Sequence, residues 1–170
     1  LTGYTITEKI AESRKSAVYR AIRDSDGLGV VLKVMAKFRP SNSDIERYKK
    51  EYEIIREMGI KGVIATHGMV EDRGRVALVL EDFRGHSLKE YLRSHNPGVE
   101  QSLEIAISIA ETLSHIHARN IIHRDIKPHN ILYNPETGVV KVTDFGISTL
   151  LPRDQDDIYD PGIVAGTLPY

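Results

Sequence analysis

The 170 residues, 41% of them apolar, are enough for a real hydrophobic core; one or two small lobes fit that length, and a disordered tail does not. Charged residues make up 28% but sum to a net charge of only −1, so no bulk field points to nucleic acid or an anionic membrane, and a phosphate-binding site has to be local. The chain has no Cys, which excludes thiol catalysis, disulfides and Cys-ligated zinc and suits a reducing, cytoplasmic compartment. Its apolar runs around Val76 to Leu80 and Ile105 to Ile109 are far shorter than the roughly 18 residues of a membrane span, and no basic and apolar leader pattern opens it at Leu1.

In chain order, Tyr4 to Ile10, Ala17 to Arg23 and Val30 to Met35 are rich in β-branched and aromatic residues, and Asp26-Gly27 supplies a turn, so an antiparallel meander is expected. A helix is predicted from about Asp44 to Met58, with Ser43 and Glu46 as a capping box and Gly59 as its stop. Strands near Ile64 to Glu71 and Val76 to Leu80 flank the turn Asp72-Arg73-Gly74-Arg75. Ser87 and Glu90 form a second capping box, opening a short helix to about Ser94 that Asn96-Pro97-Gly98 ends. Ser102 opens the longest helix, whose apolar positions Leu103, Ala106, Ala110 and Leu113 with Ile105, Ile109 and Ile116 cover a wide face, as in a buried helix. Ile131 to Tyr133 and Val139 to Val142 read as a hairpin around Asn134 to Gly138, and Ile147 to Tyr170 reads as a long loop. The order is an α+β layout in two lobes, 1–81 and 82–170, without internal repeats.

The run His123-Arg124-Asp125-Ile126-Lys127-Pro128-His129-Asn130 carries the chemistry. Phosphoryl transfer to a hydroxyl needs a carboxylate to orient the nucleophile and take its proton, and oxygen ligands for magnesium nearby. Asp125 and Asn130 supply both from one loop, and Lys127 between them can offset charge on the transferred group. Asp144-Phe145-Gly146 follows the last strand of the hairpin, which returns an anionic ligand toward Asn130. Taken alone, His123, Asp125 and Asn130 also suit a turn; the second motif at hairpin distance argues against that reading.

These motifs resemble the protein kinase family, and the resemblance runs along the whole chain. It implies a two-lobed kinase-like fold, cut before the helical lobe is complete, since the chain stops short of the family's Ala-Pro-Glu. It implies ATP and Mg2+ as cofactors, with Asp125 as catalytic base, Lys127 as the phosphate-contacting lysine of serine/threonine-directed members, and Asn130 and Asp144 as metal ligands. His123 and Phe145 become internal packing residues, and Arg124 the partner of a phosphate on the following loop, where Ser148, Thr149, Tyr159 and Thr167 are candidate modification sites. Lys33, in Val30-Val31-Leu32-Lys33, resembles the lysine that grips the α- and β-phosphates. Glu51 resembles the helical glutamate that holds it, with Glu46, Glu53 and Glu57 as rivals. The same register gives an adenine pocket of Val18 and Val31 above and Leu132 below, the backbone of Glu81 and Phe83 as its hydrogen-bonding edge, and Leu80 at its back; each apolar member is by default simply core.

One stretch departs from the family. Where G-x-G-x-x-G-x-V is usual, this chain has Ala11-Glu12-Ser13-Arg14-Lys15-Ser16-Ala17-Val18, so Ala11, Ser13 and Ser16 stand in for the glycines that permit close approach to phosphate. Two further readings follow: a pseudokinase serving as a nucleotide-responsive scaffold, or a small-molecule phosphotransferase, which the Lys127-Pro128 and Asp144-Phe145-Gly146 wording fits poorly. The expected partners are ATP and a protein substrate, with no nucleic acid and no membrane segment. Further domains of the same polypeptide are also expected, since the phrases Leu78 to Leu88 and Asn134 to Gly138 resemble kinase modules of large bacterial sensors.

Overall fold

The computed structural model describes residues 1–150, and these fall into two compact units, one of residues 1–57 with 64–83 and one of residues 58–63 with the chain from 84 onward. In the first, β1 (Tyr4–Glu12), β2 (Ser16–Arg23) and β3 (Gly29–Met35) precede α1 (Asn42–Met58), followed by β4 (Thr66–Asp72) and β5 (Arg75–Glu81). The strands form one antiparallel sheet in the order β1-β2-β3-β5-β4. Period-2 alternation sends Ala21, Val30, Leu32, Val34, Ala77 and Val79 into one cluster, against which Leu1, Tyr4, Tyr19 and Val70 pack. Every residue from Val76 to Leu80 is buried, so β5 is covered on both faces, which explains why its sequence is a continuous apolar run.

α1 begins earlier than its expected capping box. Ser41 and Asp44 satisfy the first turn instead: the Ser41 hydroxyl accepts the Asp44 N–H at 3.3 Å, and the Asp44 carboxylate accepts the Ser41 N–H at 3.2 Å. That reciprocal pattern is the same one sought at Ser43 and Glu46, two residues further along. The Ser41 hydroxyl, Lys37 and the Ser41 N–H hold the Asp44 carboxyl down at about 2.

The second unit contains β6 (His86–Ser87), α2 (Leu88–Ser94), α3 (Val99–His117), β7 (Ile121–Ile122), β8 (Ile131–Asn134), β9 (Val139–Val142) and β10 (Thr149–Leu150). Its sheets are β6-β8-β9 and β7-β10, and the latter puts the first residues of the expected long loop into a short ladder with Ile121 and Ile122. Ser87 and Glu90 make both bonds of the predicted capping box, a device worth about 1 kcal/mol. α3 starts one turn before Ser102, at Val99 after the N-cap Gly98; the Ser102 hydroxyl bonds back to the Gly98 carbonyl at 2.9 Å and so lies inside the helix.

The buried stripe of α3 is narrower than the sequence implies. Ile105, Thr112 and Ile116 are buried, whereas Leu103 and Ile107 are more than half exposed and Ala106 and Ala110 are exposed, because no described residue packs over that side. The stripe meets residues 58–63 closely. The Val142 N–H donates to the Gly62 carbonyl at 2.8 Å, and a Cβ on Gly62 would lie 2.0 Å from Thr112 Oγ1 and 2.9 Å from its Cβ. Gly62→Ala is therefore expected to destabilise the protein by about 1–3 kcal/mol, the usual cost of overpacking. Urea denaturation measures this, and Thr112→Ala in the same background should recover part of the loss; a Gly62→Ala protein as stable as the wild type contradicts the tight contact.

Candidate active site

In the first unit, strand register gathers the predicted nucleotide residues onto one face. Val18, Lys33 and Leu78 oppose one another in one row, and Arg20, Val31 and Leu80 in the next. Opposed residues of antiparallel strands share a face, as do residues two apart, so Ala11, opposite Val18, and Ser16, opposite Met35, belong to it as well. Lys33 Nζ lies 2.6 Å from Glu51 Oε1, with the two side chains 14% and 3% exposed. Glu46, Glu53 and Glu57 are exposed, so Glu51 is the helical glutamate that meets the lysine. An α1 register that buries Tyr48, Glu51, Ile54, Ile55 and Met58 brings this carboxylate inward.

The glycine-free segment closes on itself. The Ser13 hydroxyl accepts the N–H groups of Lys15 at 3.2 Å and Ser16 at 3.1 Å, and the Ser13 N–H donates to the Ser16 carbonyl at 2.8 Å. No residue from 11 to 18 has a positive φ, so this β1–β2 turn requires no glycine. A serine side chain here supplies an acceptor that glycine lacks, and it occupies amides that a glycine-rich loop would turn toward phosphate. Arg14 and Lys15 are exposed at the tip.

Beyond β5, Glu81 is tied to residue 65 twice: its N–H donates to the Ala65 carbonyl at 3.1 Å, and its carboxylate accepts the Ala65 N–H at 2.8 Å. Asp82 is followed by the half-buried Phe83, and its carboxylate receives Arg20 Nε at 3.1 Å. Neither Arg20 nor Asp82 stands out in the sequence. They are 62 positions apart, and no local pattern connects them.

In the second unit, the catalytic-loop candidates converge. Asp125 Oδ2 is 2.8 Å from Lys127 Nζ and accepts a bond from Asn130 Nδ2 at 2.9 Å; Asn130 Nδ2 also donates to the Asp125 carbonyl at 2.8 Å. The hairpin does what its spacing implied: Ile131 opposes Val142, and the Thr143 N–H donates to the Asn130 carbonyl at 3.0 Å, which sets Asp144 one residue beyond. His123 fixes this geometry. Its Nδ1 accepts the Asp125 N–H at 3.2 Å, so the neutral ring must carry its hydrogen on Nε2, which faces the Thr143 carbonyl at 3.0 Å. Burial pushes the His123 imidazole below its ordinary range, against the Thr143 carbonyl, and favours this neutral form. The ring also packs edge-on to Phe145 at 4.6 Å between centroids, and both side chains are 1% exposed.

Arg124 and Asp144 have φ of 66° and 69°, a left-handed backbone that costs non-glycine residues on the order of 1–3 kcal/mol at constrained sites. Each stands beside an anchored peptide: Arg124 between His123 and the Asp125 N–H that returns to its ring, Asp144 after Thr143, whose N–H and C=O are both taken. The donor set suits a hard divalent cation. Because the Asn130 side-chain nitrogen is spent on Asp125, its side-chain oxygen would be the end that ligates, with the Asp144 carboxylate as the anionic ligand, and magnesium prefers such oxygens. No cluster of three or more His, Cys, Asp or Glu that could hold a metal ion is found among the described residues.

Leu132 is half-buried in β8, and Arg124 is exposed. Of the hydroxyls considered for modification, Ser148 is 6% exposed and its Oγ donates to the Phe145 carbonyl at 2.7 Å, so it closes a turn and is a poor target; Thr149 sits in β10. Tyr159, Thr167 and the stretch Gly166 to Tyr170 lie outside the described residues.

Comparison with known families matches residues 4–170 to the protein kinase domain. Among characterised relatives, the chain is 32% identical over 174 residues to serine/threonine-protein kinase PknA of Mycobacterium tuberculosis, covering 98% of this chain and 40% of that protein. It is 33% identical over 124 residues to serine/threonine-protein kinase PrkC of Bacillus subtilis, covering 72% and 19%. It is 31% identical over 156 residues to the Aurora kinase of Saccharomyces cerevisiae, covering 91% and 42%. The chain thus spans less than half the length of each of these relatives. With the kinase-domain match running from residue 4 to residue 170, this chain belongs to the protein kinase family.

Proposed function

We propose that this domain transfers the terminal phosphoryl group of ATP to serine or threonine hydroxyls of a protein, with magnesium, as part of a larger cytoplasmic signalling polypeptide. The observation that carries the reading is the Asp125 carboxylate held by both Lys127 and Asn130, because a base whose second oxygen and backbone are pinned is ready to orient a hydroxyl. Asp125 takes the hydroxyl proton as the oxygen attacks phosphorus, and Lys127 offsets charge on the group in transit. Asn130 and Asp144 would hold the metal, which neutralises phosphate charge when bound. Lys33, positioned by Glu51, contacts the α- and β-phosphates. Val18 and Val31 line the base, whose polar edge meets the backbone of Glu81 and Phe83.

A second reading, a nucleotide-responsive scaffold that does not transfer phosphate, draws on the Ser13 turn, where the amides of Lys15 and Ser16 already have an acceptor. Incubation of the complete protein with γ-labelled ATP and magnesium, against a panel of Ser/Thr peptides, protein acceptors and small alcohols, separates the readings. Label on Ser or Thr is expected; nucleotide binding with no transfer favours the scaffold, and label on small alcohols alone moves the protein to the small-molecule phosphotransferases.

A further inference from the structure

Arg20 and Asp82 form an ion pair that no part of the chemistry above uses. Arg20 Nε reaches both oxygens of Asp82, at 3.3 and 3.1 Å, and its guanidinium also meets Glu8 on β1. The Asp82 side chain is only 5% exposed, against 30% for Arg20 and 55% for Glu8. A carboxylate taken so far out of water costs several kcal/mol unless it is compensated, and Arg20 places a cation beside it. The geometry matters more than the charge. Arg20 lies on the same sheet face as Val18, Val31 and Lys33, in the row that ends at Leu80, and Asp82 lies between Glu81 and Phe83, whose backbones form the assigned adenine edge.

We propose that Arg20 is a positioning residue for the nucleotide base, acting through Asp82 to hold the Glu81–Phe83 backbone in register with β2. This deepens the kinase reading and rests on it. Glu81 is already fixed by residue 65 on one side. Arg20 fixes the next residue from the other, across 62 positions of sequence, and through Glu8 it links the same point to the strand that leads into the Ser13 turn. A planar guanidinium shared between two carboxylates sets direction as well as distance, which a lysine ammonium does not.

The test compares wild-type, Arg20→Met, Arg20→Lys and Asp82→Asn forms of the complete protein, reading adenosine and ATP affinity by titration calorimetry, KM for ATP, kcat and melting temperature. Arg20→Met is expected to weaken adenosine and ATP alike, by about tenfold, the effect of losing roughly one charge-assisted hydrogen bond, and to raise KM with kcat nearly constant. Arg20→Lys should fall between, and Asp82→Asn should match Arg20→Met. Lys33→Met, with its melting temperature confirming that it is folded under the assay conditions, serves as contrast, because it should weaken ATP far more than adenosine. A lower melting temperature with unchanged adenosine affinity shows that the pair only stabilises the fold and overturns the proposal; if Arg20→Met does not fold, the same comparison on Arg20→Lys decides it. A wild-type protein that binds no nucleotide overturns the kinase reading itself and this inference with it.

Discussion

Asp125→Asn is expected to lower kcat for phosphate transfer by about 10²- to 10⁴-fold, the range for removing a positioned general base. The substitution is close to isosteric, and an asparagine Oδ1 can still accept the bonds that Lys127 and Asn130 now give to the carboxylate. What it cannot do is take a proton, since its other end is an amino group. Substrate KM should therefore change little while kcat and kcat/KM fall together, the pattern of an interaction made in the transition state. Steady-state kinetics on the complete protein, with melting temperature as control, read this out. Transfer at the wild-type rate would remove Asp125 from the chemistry, and with it the main support for the proposed function.

The second large effect is on stability. Lys33→Met leaves Glu51, 3% exposed, without the ammonium now 2.6 Å away, and breaking a buried ion pair in this way costs about 3–5 kcal/mol. Removing both charges is much milder, because the penalty lies in the carboxylate left behind. Lys33→Met with Glu51→Leu should thus be more stable than Lys33→Met alone, although both proteins lose the lysine proposed to contact phosphate. Chemical denaturation of the three proteins measures the coupling between the positions. Equal stability of the single variant and the wild type would show that Glu51 does not depend on Lys33.

These two predictions use residues that could be read from the sequence, because the chemistry fixes side-chain types at short spacings. His123 to Asn130 and Asp144 to Gly146 are each a few residues long, and the hairpin joining them is local, so its return of Asp144 toward Asn130 followed from two strands and a turn. Glu51 was legible only up to its rivals. Helical periodicity puts several glutamates on α1, and only the packing of Tyr48, Ile54 and Ile55 decides which one faces inward. The helix starts were misplaced for a similar reason. Ser43 and Ser102 are the caps expected from sequence, but the Ser41 hydroxyl is the one that accepts a first-turn N–H of α1, and the Ser102 hydroxyl bonds back to the Gly98 carbonyl.

By itself, then, the sequence determined the two-lobed α+β order and the kinase resemblance, and it put forward Lys33, Asp125, Asn130 and Asp144 as the proposed polar set, since all of these depend on residue type and local spacing. The tertiary structure alone decided how that set is held. The left-handed backbone at Arg124 and Asp144, the neutral His123 that anchors both sides of the catalytic loop, and the pairing of Arg20 with Asp82 have no local signature. Their physical reason is shared: each is a polar group or strained peptide that is stable only because a partner from another segment satisfies it, and that partner is brought within hydrogen-bonding distance only by folding.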